Sequence, residues 1–282
     1  MAGRRTLLRE AAASGIALHA GTQIRMKLLP AAGTGIVFRR TDLSDSPLIP
    51  ALWSHVSETR LGTVLRAPSG AGVAVVEHLM AALSGAGIDD CMIEIDGPEL
   101  PILDGDALSF LRIIDKAGVS SCGGDSETVR VIRPVSVSDR NASAALLPAE
   151  ETSYYFEIDF PTPIIGRQSY SCVLTEEVFR RDIAPARTFG FLAEAEALRK
   201  AGLARGADLT NTLVIGEDGL MNPSLQRFSD EFVRHKILDA VGDMKLAGAG
   251  LLARFEGRRS SHALNNALLR ALFSDPTNYA RS

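Results

Sequence analysis

The sequence predicts an α+β protein built from two similar domains, and three observations carry that expectation. Short β-like runs precede helical stretches twice along the chain, each half closes in the order helix, strand, helix, and a glycine-rich polar stretch separates the halves. That stretch, residues 119–127 (VSSCGGDSE), has the composition of a linker and divides the chain into 1–122 and 123–282. With 282 residues and 46% hydrophobic content, the chain can bury one large core or two medium ones.

In the first half, β-like runs at 23–29, 35–39, 63–65 and 73–76 alternate with turn signals. Residues 15–21 (GIALHAG) read as a loop between glycines that carries His19, a residue either in contact with a ligand or merely exposed. Helical character starts at Glu77, where Leu79, Met80 and Leu83 share one face and Gly85 or Gly87 supplies the stop. A strand at 91–95 follows. Asp104 or Asp106 then caps a helix over 107–116, which Gly118 closes.

The second half repeats this plan, with β-like runs at 128–132, 144–147, 154–160 and 170–174. An amphipathic stretch at 192–203 leads into an apolar segment at 212–215, so an insertion lies near 192–216. A helix over 229–246, a strand at 251–255 and a helix over 261–273 complete the chain.

The helix over 229–246 carries the densest chemistry. Val233, Ile237, Val241 and Met244 recur at intervals of four and three, which makes one buried stripe. Glu231, His235, Asp239 and Asp243 follow one another at four-residue steps up another side, with Lys236 about 100° away. That polar stripe is either a solvated acidic face or half of a metal site, because an imidazole and a carboxylate one turn apart can reach the same ion. Glu231 reads as helix N-terminal charge.

Glu77 and His78 begin the corresponding helix of the first half, so an interface between halves could bring them to His235 and Asp239. His78, His235 and Asp239 would then supply two imidazoles and a carboxylate to a metal with an open position. Glu77, beside the metal without ligating it, would stand where a general base belongs. No HExxH is present, and the same ligand set suits zinc (Zn2+) or non-haem iron (Fe2+). His262 is a candidate proton donor that Asp243 could tune, and Lys236 and Thr188 are candidate donors to a developing oxyanion.

Composition narrows the function classes. A net charge of -4 without any Lys/Arg run excludes an electrostatic footprint for nucleic acid. Residues 1–15 are positively charged but lack a long apolar region before Arg9 and Glu10, so neither a secretory signal nor a transmembrane segment is expected, and the compartment expected is cytoplasmic. Cys91, Cys122 and Cys172 are odd in number and far apart, which argues against disulfides and a thiolate zinc site.

Five ordered motifs, VEHLMAAL, IEIDGPELPILDGDA, ARTFGF, DEFVRHKILDAVGD and SSHALNN, closely resemble the UDP-3-O-acyl-N-acetylglucosamine deacetylases, zinc amidohydrolases of lipid A biosynthesis in Gram-negative bacteria. The resemblance runs from Thr6 to about Phe273. It implies two layered domains, each a sandwich of sheets and two helices, with the active site at their junction. It implies that His78, His235 and Asp239 ligate zinc, that Glu77 is the base, and that His262 with Asp243 is the acid. Thr188 and Lys236 fall on positions that meet the oxyanion and the substrate. The substrate implied is an acylated UDP-sugar, its acyl chain passing Leu61, Phe189, Phe191, Ala204 and Val214 and its nucleotide meeting Asp159 and Phe160. A monomer is expected.

Several positions depart from the family pattern. Ser261 replaces a glycine beside the proposed acid, Asp208 places a carboxylate near the sugar or phosphate end, and Arg60 stands where an apolar residue is expected. A basic residue toward the phosphates is missing near Asn141, where Arg140 or Arg259 could substitute. Asp208 and Ser261 motivate a second expectation, a diverged paralogue that binds the nucleotide-lipid without hydrolysing it.

Overall fold

Two five-stranded sheets with the same strand order organise the computed structural model, which describes residues 3–282. The first contains β1 (Ala11–Ile16), β2 (Gln23–Leu29), β3 (Ile36–Arg40), β4 (Leu48–Pro50) and β5 (Cys91–Ile95), with α1 (Glu77–Gly85) before β5 and α2 (Leu108–Ala117) after it. The second contains β6 (Val135–Asp139), β7 (Ala142–Leu147), β8 (Ser153–Asp159), β9 (Arg167–Val173) and β10 (Arg254–Arg258). Helices α3 (Leu192–Lys200) and α4 (Glu231–Lys245) precede β10, and α5 (His262–Ser274) follows it.

The orders are β1-β2-β5-β3-β4 and β6-β7-β10-β8-β9. In both sheets the last strand inserts between the second and third and runs parallel to the third, while every other pair is antiparallel. The two halves therefore share a topology as well as an element order.

Alternation explains why each sheet has one wet face. In β2, Ile24, Met26 and Leu28 are buried while Gln23, Arg25 and Lys27 are exposed; in β8, Tyr154, Phe156 and Ile158 point inward. The helices cover the apolar faces: α2 packs on β1, α4 on β8 and β9, and α5 on β6 and β7. Helices α1 and α4 pack on each other, with α2 against α1 and α5 against α4. Helix α4 is buried on both its apolar and its acidic stripe, so the solvated reading of Glu231, His235, Asp239 and Asp243 does not hold.

Residues 119–127 are not a loose linker: Val119–Asp125 is a strand paired antiparallel with Gly3–Leu7. Its glycines and serines gave no strand signal because its pairing partner lies more than a hundred residues away. The segment expected as a loop from Gly15 is also partly a strand, since β1 ends at Ile16 and only residues 18–20 turn.

The insertion is a parallel pair, Phe189–Phe191 with Leu213–Ile215, joined through α3. It docks on the first half through backbone bonds from Arg205 N–H to the His19 carbonyl (3.2 Å) and from Gly206 N–H to the Leu18 carbonyl (3.0 Å).

Candidate active site

Helix pairing makes the site. The first turn of α1 presents Glu77 and His78, and α4 presents His235 and Asp239 one turn apart, across a contact between the halves. All four are at least nine-tenths buried. The His235 Nε2 and His78 Nε2 atoms stand 3.3 and 3.7 Å from Asp239 Oδ1, and one ligand atom from each residue lies within 4.8 Å of the others.

These residues fit a metal ion. Tetrahedral ligands held about 2.0–2.1 Å from zinc stand about 3.3 Å apart, close to the separations seen here. His235 Nδ1 faces the Ala186 carbonyl at 3.1 Å, an acceptor only, so it carries the ring proton and leaves the Nε2 lone pair free. Burial pushes His235 down to about 4 against the pull of Asp239, so it is neutral at physiological pH, as a ligand must be. Burial opposes charge on Asp239, yet His235 and Lys236 hold its pKa well below the usual carboxylate range. Lys236 Nζ takes Asp239 Oδ2 at 2.7 Å, which leaves Oδ1 toward the histidines.

Glu77 and His262 flank this cluster, with His262 Nε2 3.9 Å from Glu77 Oε1 and 4.0 Å from Asp239 Oδ2. Burial raises the pKa of Glu77, opposed by His262 and His78, so its carboxylate is a better proton acceptor than an exposed one. Burial alone would lower His262, but Asp243 and Glu77 override it and raise the imidazole to about 10. Asp243 Oδ2 accepts from His262 Nδ1 and from Asn265 Nδ2, each at 2.8 Å.

A cleft of about 510 Å³ opens over the cluster. It is lined by Glu77, His78, His235, Lys236, Asp239 and His262 at one end, and by Leu61, Phe189, Phe191, Ala204 and Val214 along its length. Thr188 lines it too, held by its N–H to the Gly105 carbonyl at 2.8 Å. Gly105 must be glycine: its φ is +75° and a Cβ would lie 2.0 Å from the Asn211 carbonyl oxygen.

His19 also lines the cleft and ties its two sides, accepting from Ala204 N–H at Nδ1 (3.3 Å) and donating from Nε2 to the Leu61 carbonyl (2.9 Å). Phe160 packs against Phe189 and Phe191, with ring centroids 5.8 and 5.9 Å away, and so joins the same wall of the cleft. Asp159 does not line the cleft; it is bonded to Arg259.

The departures from the family pattern have local accounts. Asp208 lines the cleft, and its Oδ1 accepts from Thr210 N–H, Thr210 Oγ1 and Asn211 N–H, so one of its carboxylate oxygens is taken up within its own turn. Ser261 adopts an extended backbone (φ −141°) and caps α5, a conformation that needs no glycine. Arg60 is exposed and lies outside the cleft lining.

Three further residues support the site from the surrounding framework. Glu231 is the acidic residue in the first turn of α4, as expected, and it is also fully buried: its carboxylate accepts the backbone N–H groups of Arg187, Arg227 and Phe228, anchoring the segment that carries Thr188. Asn265, three residues after His262 on α5, was detectable as a helix-face neighbour of the proposed acid. Thr63 was not, since it reaches Glu77 and Asp243 only through tertiary packing.

Fold and site together define a class: an α+β enzyme with a buried two-histidine, one-aspartate cluster flanked by a proton-accepting carboxylate and a protonated imidazole, the equipment of a metal-assisted hydrolase. The LpxC family model, described as UDP-3-O-acyl N-acetylglycosamine deacetylase, matches residues 4–274. UDP-3-O-acyl-N-acetylglucosamine deacetylases of Phenylobacterium zucineum and of Geobacter sp. are each 46% identical, covering 93% and 98% of this chain and 90% of each relative. That of Brucella melitensis biotype 2 is 44% identical over 97% of this chain and 96% of its own length. The chain belongs to this deacetylase family.

Proposed function

We propose that the protein hydrolyses the N-acetyl group of a UDP-3-O-acyl-N-acetylglucosamine, releasing acetate and the free amine. Zinc is the metal we assign to His78, His235 and Asp239, with iron able to take its place. A divalent ion held there supplies Lewis acidity, acidifying a water toward a pKa of about 7 and polarising the amide oxygen.

The chain's own groups perform the rest. Glu77 accepts the proton of the attacking water at Oε1, the oxygen that faces His262. Thr188 and Lys236 donate to the oxygen that gains negative charge as the carbonyl becomes tetrahedral. His262 donates its Nε2 proton to the departing amine while Asp243 steadies Nδ1, an acid contribution of roughly 10²–10⁴ in rate. The apolar length of the cleft, whose wall includes Phe160 and which His19 ties together at Leu61 and Ala204, receives the acyl chain.

The observation that carries this reading is the pairing of Glu77 and His262, 3.9 Å apart at the edge of the histidine-aspartate cluster, with opposite protonation tasks. No helix among the described residues is long and apolar enough to cross a membrane. The cytoplasm and the committed step of lipid A biosynthesis in a Gram-negative cell are the setting we assign. Because all the proposed groups belong to one chain, a monomer suffices for activity.

The test is to incubate the purified, metal-loaded chain with the acylated UDP-N-acetylglucosamine and follow the nucleotide sugar by mass spectrometry. One acetyl group should be lost and acetate should appear in equal amount. Tight binding of the substrate with neither product would instead select the non-hydrolysing paralogue.

A further inference from the structure

The buried side of the site holds a relationship that the proposed reaction does not use directly. Thr63 is 1% exposed, lies outside the cleft lining and touches both halves of the proton-transfer machinery. Its backbone N–H donates to Glu77 Oε2 at 2.9 Å, and its hydroxyl donates to Asp243 Oδ1 at 2.7 Å.

Each bond takes the carboxylate oxygen that the reaction leaves unused. Glu77 Oε1 remains toward His262 Nε2, and Asp243 Oδ2 remains for His262 Nδ1 and Asn265 Nδ2. A carboxylate has two equivalent oxygens and can rotate between them; a fixed donor on one oxygen removes that freedom. In a dry pocket an unpaired oxygen is costly, so a donor placed there holds the group firmly.

The approach of this segment is built in. Leu61 (φ 61°) and Gly62 (φ 139°) take up left-handed-side conformations just before Thr63. A Cβ on Gly62 would stand 2.9 Å from Glu77 Oε1, so the chain passes against the base itself. Val76 N–H returns to the Thr63 carbonyl at 3.3 Å and closes the connection to α1.

We propose that Thr63 is a positioning residue that couples the base Glu77 to the acid pair Asp243 and His262, fixing which oxygen of each carboxylate acts. The inference rests on the deacetylase reading. It requires the hydroxyl and not the methyl group, because the Glu77 bond comes from the backbone and persists in every variant.

Thr63→Val removes the hydroxyl at nearly constant shape, Thr63→Ala removes it with less crowding, and Thr63→Ser keeps it. We expect kcat to fall about 10- to 100-fold in the valine and alanine variants, as a small displacement of catalytic groups does. KM should stay within about twofold, and serine should retain kcat within about threefold of the parent. In the metal-free protein, the His262 Hδ1 resonance should move in the valine and alanine variants and return in serine.

If valine does not fold, alanine and serine decide. An alanine variant with kcat near the parent's, a serine variant as impaired as alanine, or a loss confined to KM would each overturn the inference. An inactive parent chain would overturn the deacetylase reading, while the His262 resonance would still decide whether Thr63 acts through Asp243.

Discussion

A Cβ added to Gly242 would lie 2.0 Å from the carbonyl oxygen of Glu77, so α4 crosses the first turn of α1 at a distance that only glycine permits. The residue before Asp243 thus sets how closely α4, which carries His235, Asp239 and Asp243, approaches the turn of α1 that carries Glu77 and His78. Because the obstacle is backbone, it cannot swing aside. Gly242→Ala should cost about 1–3 kcal/mol of stability through overpacking, and it should lower kcat more than it raises KM. Thermal denaturation and steady-state kinetics on the same preparation check both parts.

The pKa of His262 gives a second prediction, with a defined sign. Burial works against its charge, but Asp243 and Glu77 raise it from 6.5 to about 10 in the folded chain. A raised imidazole contributes stability that is fully present below the unfolded value of about 6.5 and is lost as pH rises through about 10. Asp243→Asn removes the foremost of the carboxylates that raise it and should bring the midpoint down. NMR titration of His262 in the metal-free protein reads this directly; an unchanged midpoint in the variant would contradict the assignment of Asp243.

Metal removal should abolish turnover without unfolding the chain, because the cluster rests on helices packed over two sheets around an extensive apolar core. The ion still adds stability by binding the folded form, about 2.7 kcal/mol when present at a hundred times its Kd. Dialysis against a chelator should lower Tm modestly and remove activity, and zinc or ferrous iron should restore both. His235→Ala should show no metal-dependent change in Tm.

How much of this was legible in the sequence depends on the range of each interaction. Helix α4 was readable because its apolar residues repeat within one helix, and His235 and Asp239 were readable as partners because a helix puts residues four apart on one face. His78 is legible as a further partner only because Glu77 and His78 begin the matching helix of the other half. Strand Val119–Asp125 was misread because its small, glycine-rich residues carry no alternation and its order comes from Gly3–Leu7. Ala11–Ile16 carries no strand signal because its residues are small, although its partner Gln23–Leu29 is the next strand in the chain. Thr63, Gly242 and the contact of Glu231 with Arg187 are illegible because backbone approach between distant segments gives each its role.

Along the apolar arm of the cleft, a larger side chain should discriminate among substrates by acyl length. Val214→Trp shortens the space beside Phe191 and Phe189, so kcat/KM should fall about 10-fold or more for a long acyl chain and little for a short one. A uniform loss across chain lengths would place the acyl group elsewhere.

The most direct test of the central claim is the turnover of Glu77→Gln carrying its full complement of metal. Glutamine keeps the shape of Glu77 and can still accept the Thr63 N–H, but it cannot take a proton from water. Metal content should match that of the parent, and kcat for acetate release should fall by about 10² or more, as loss of a general base does. A metal-loaded glutamine variant that releases acetate at the parent's rate would contradict the assignment of Glu77 and the mechanism built on it.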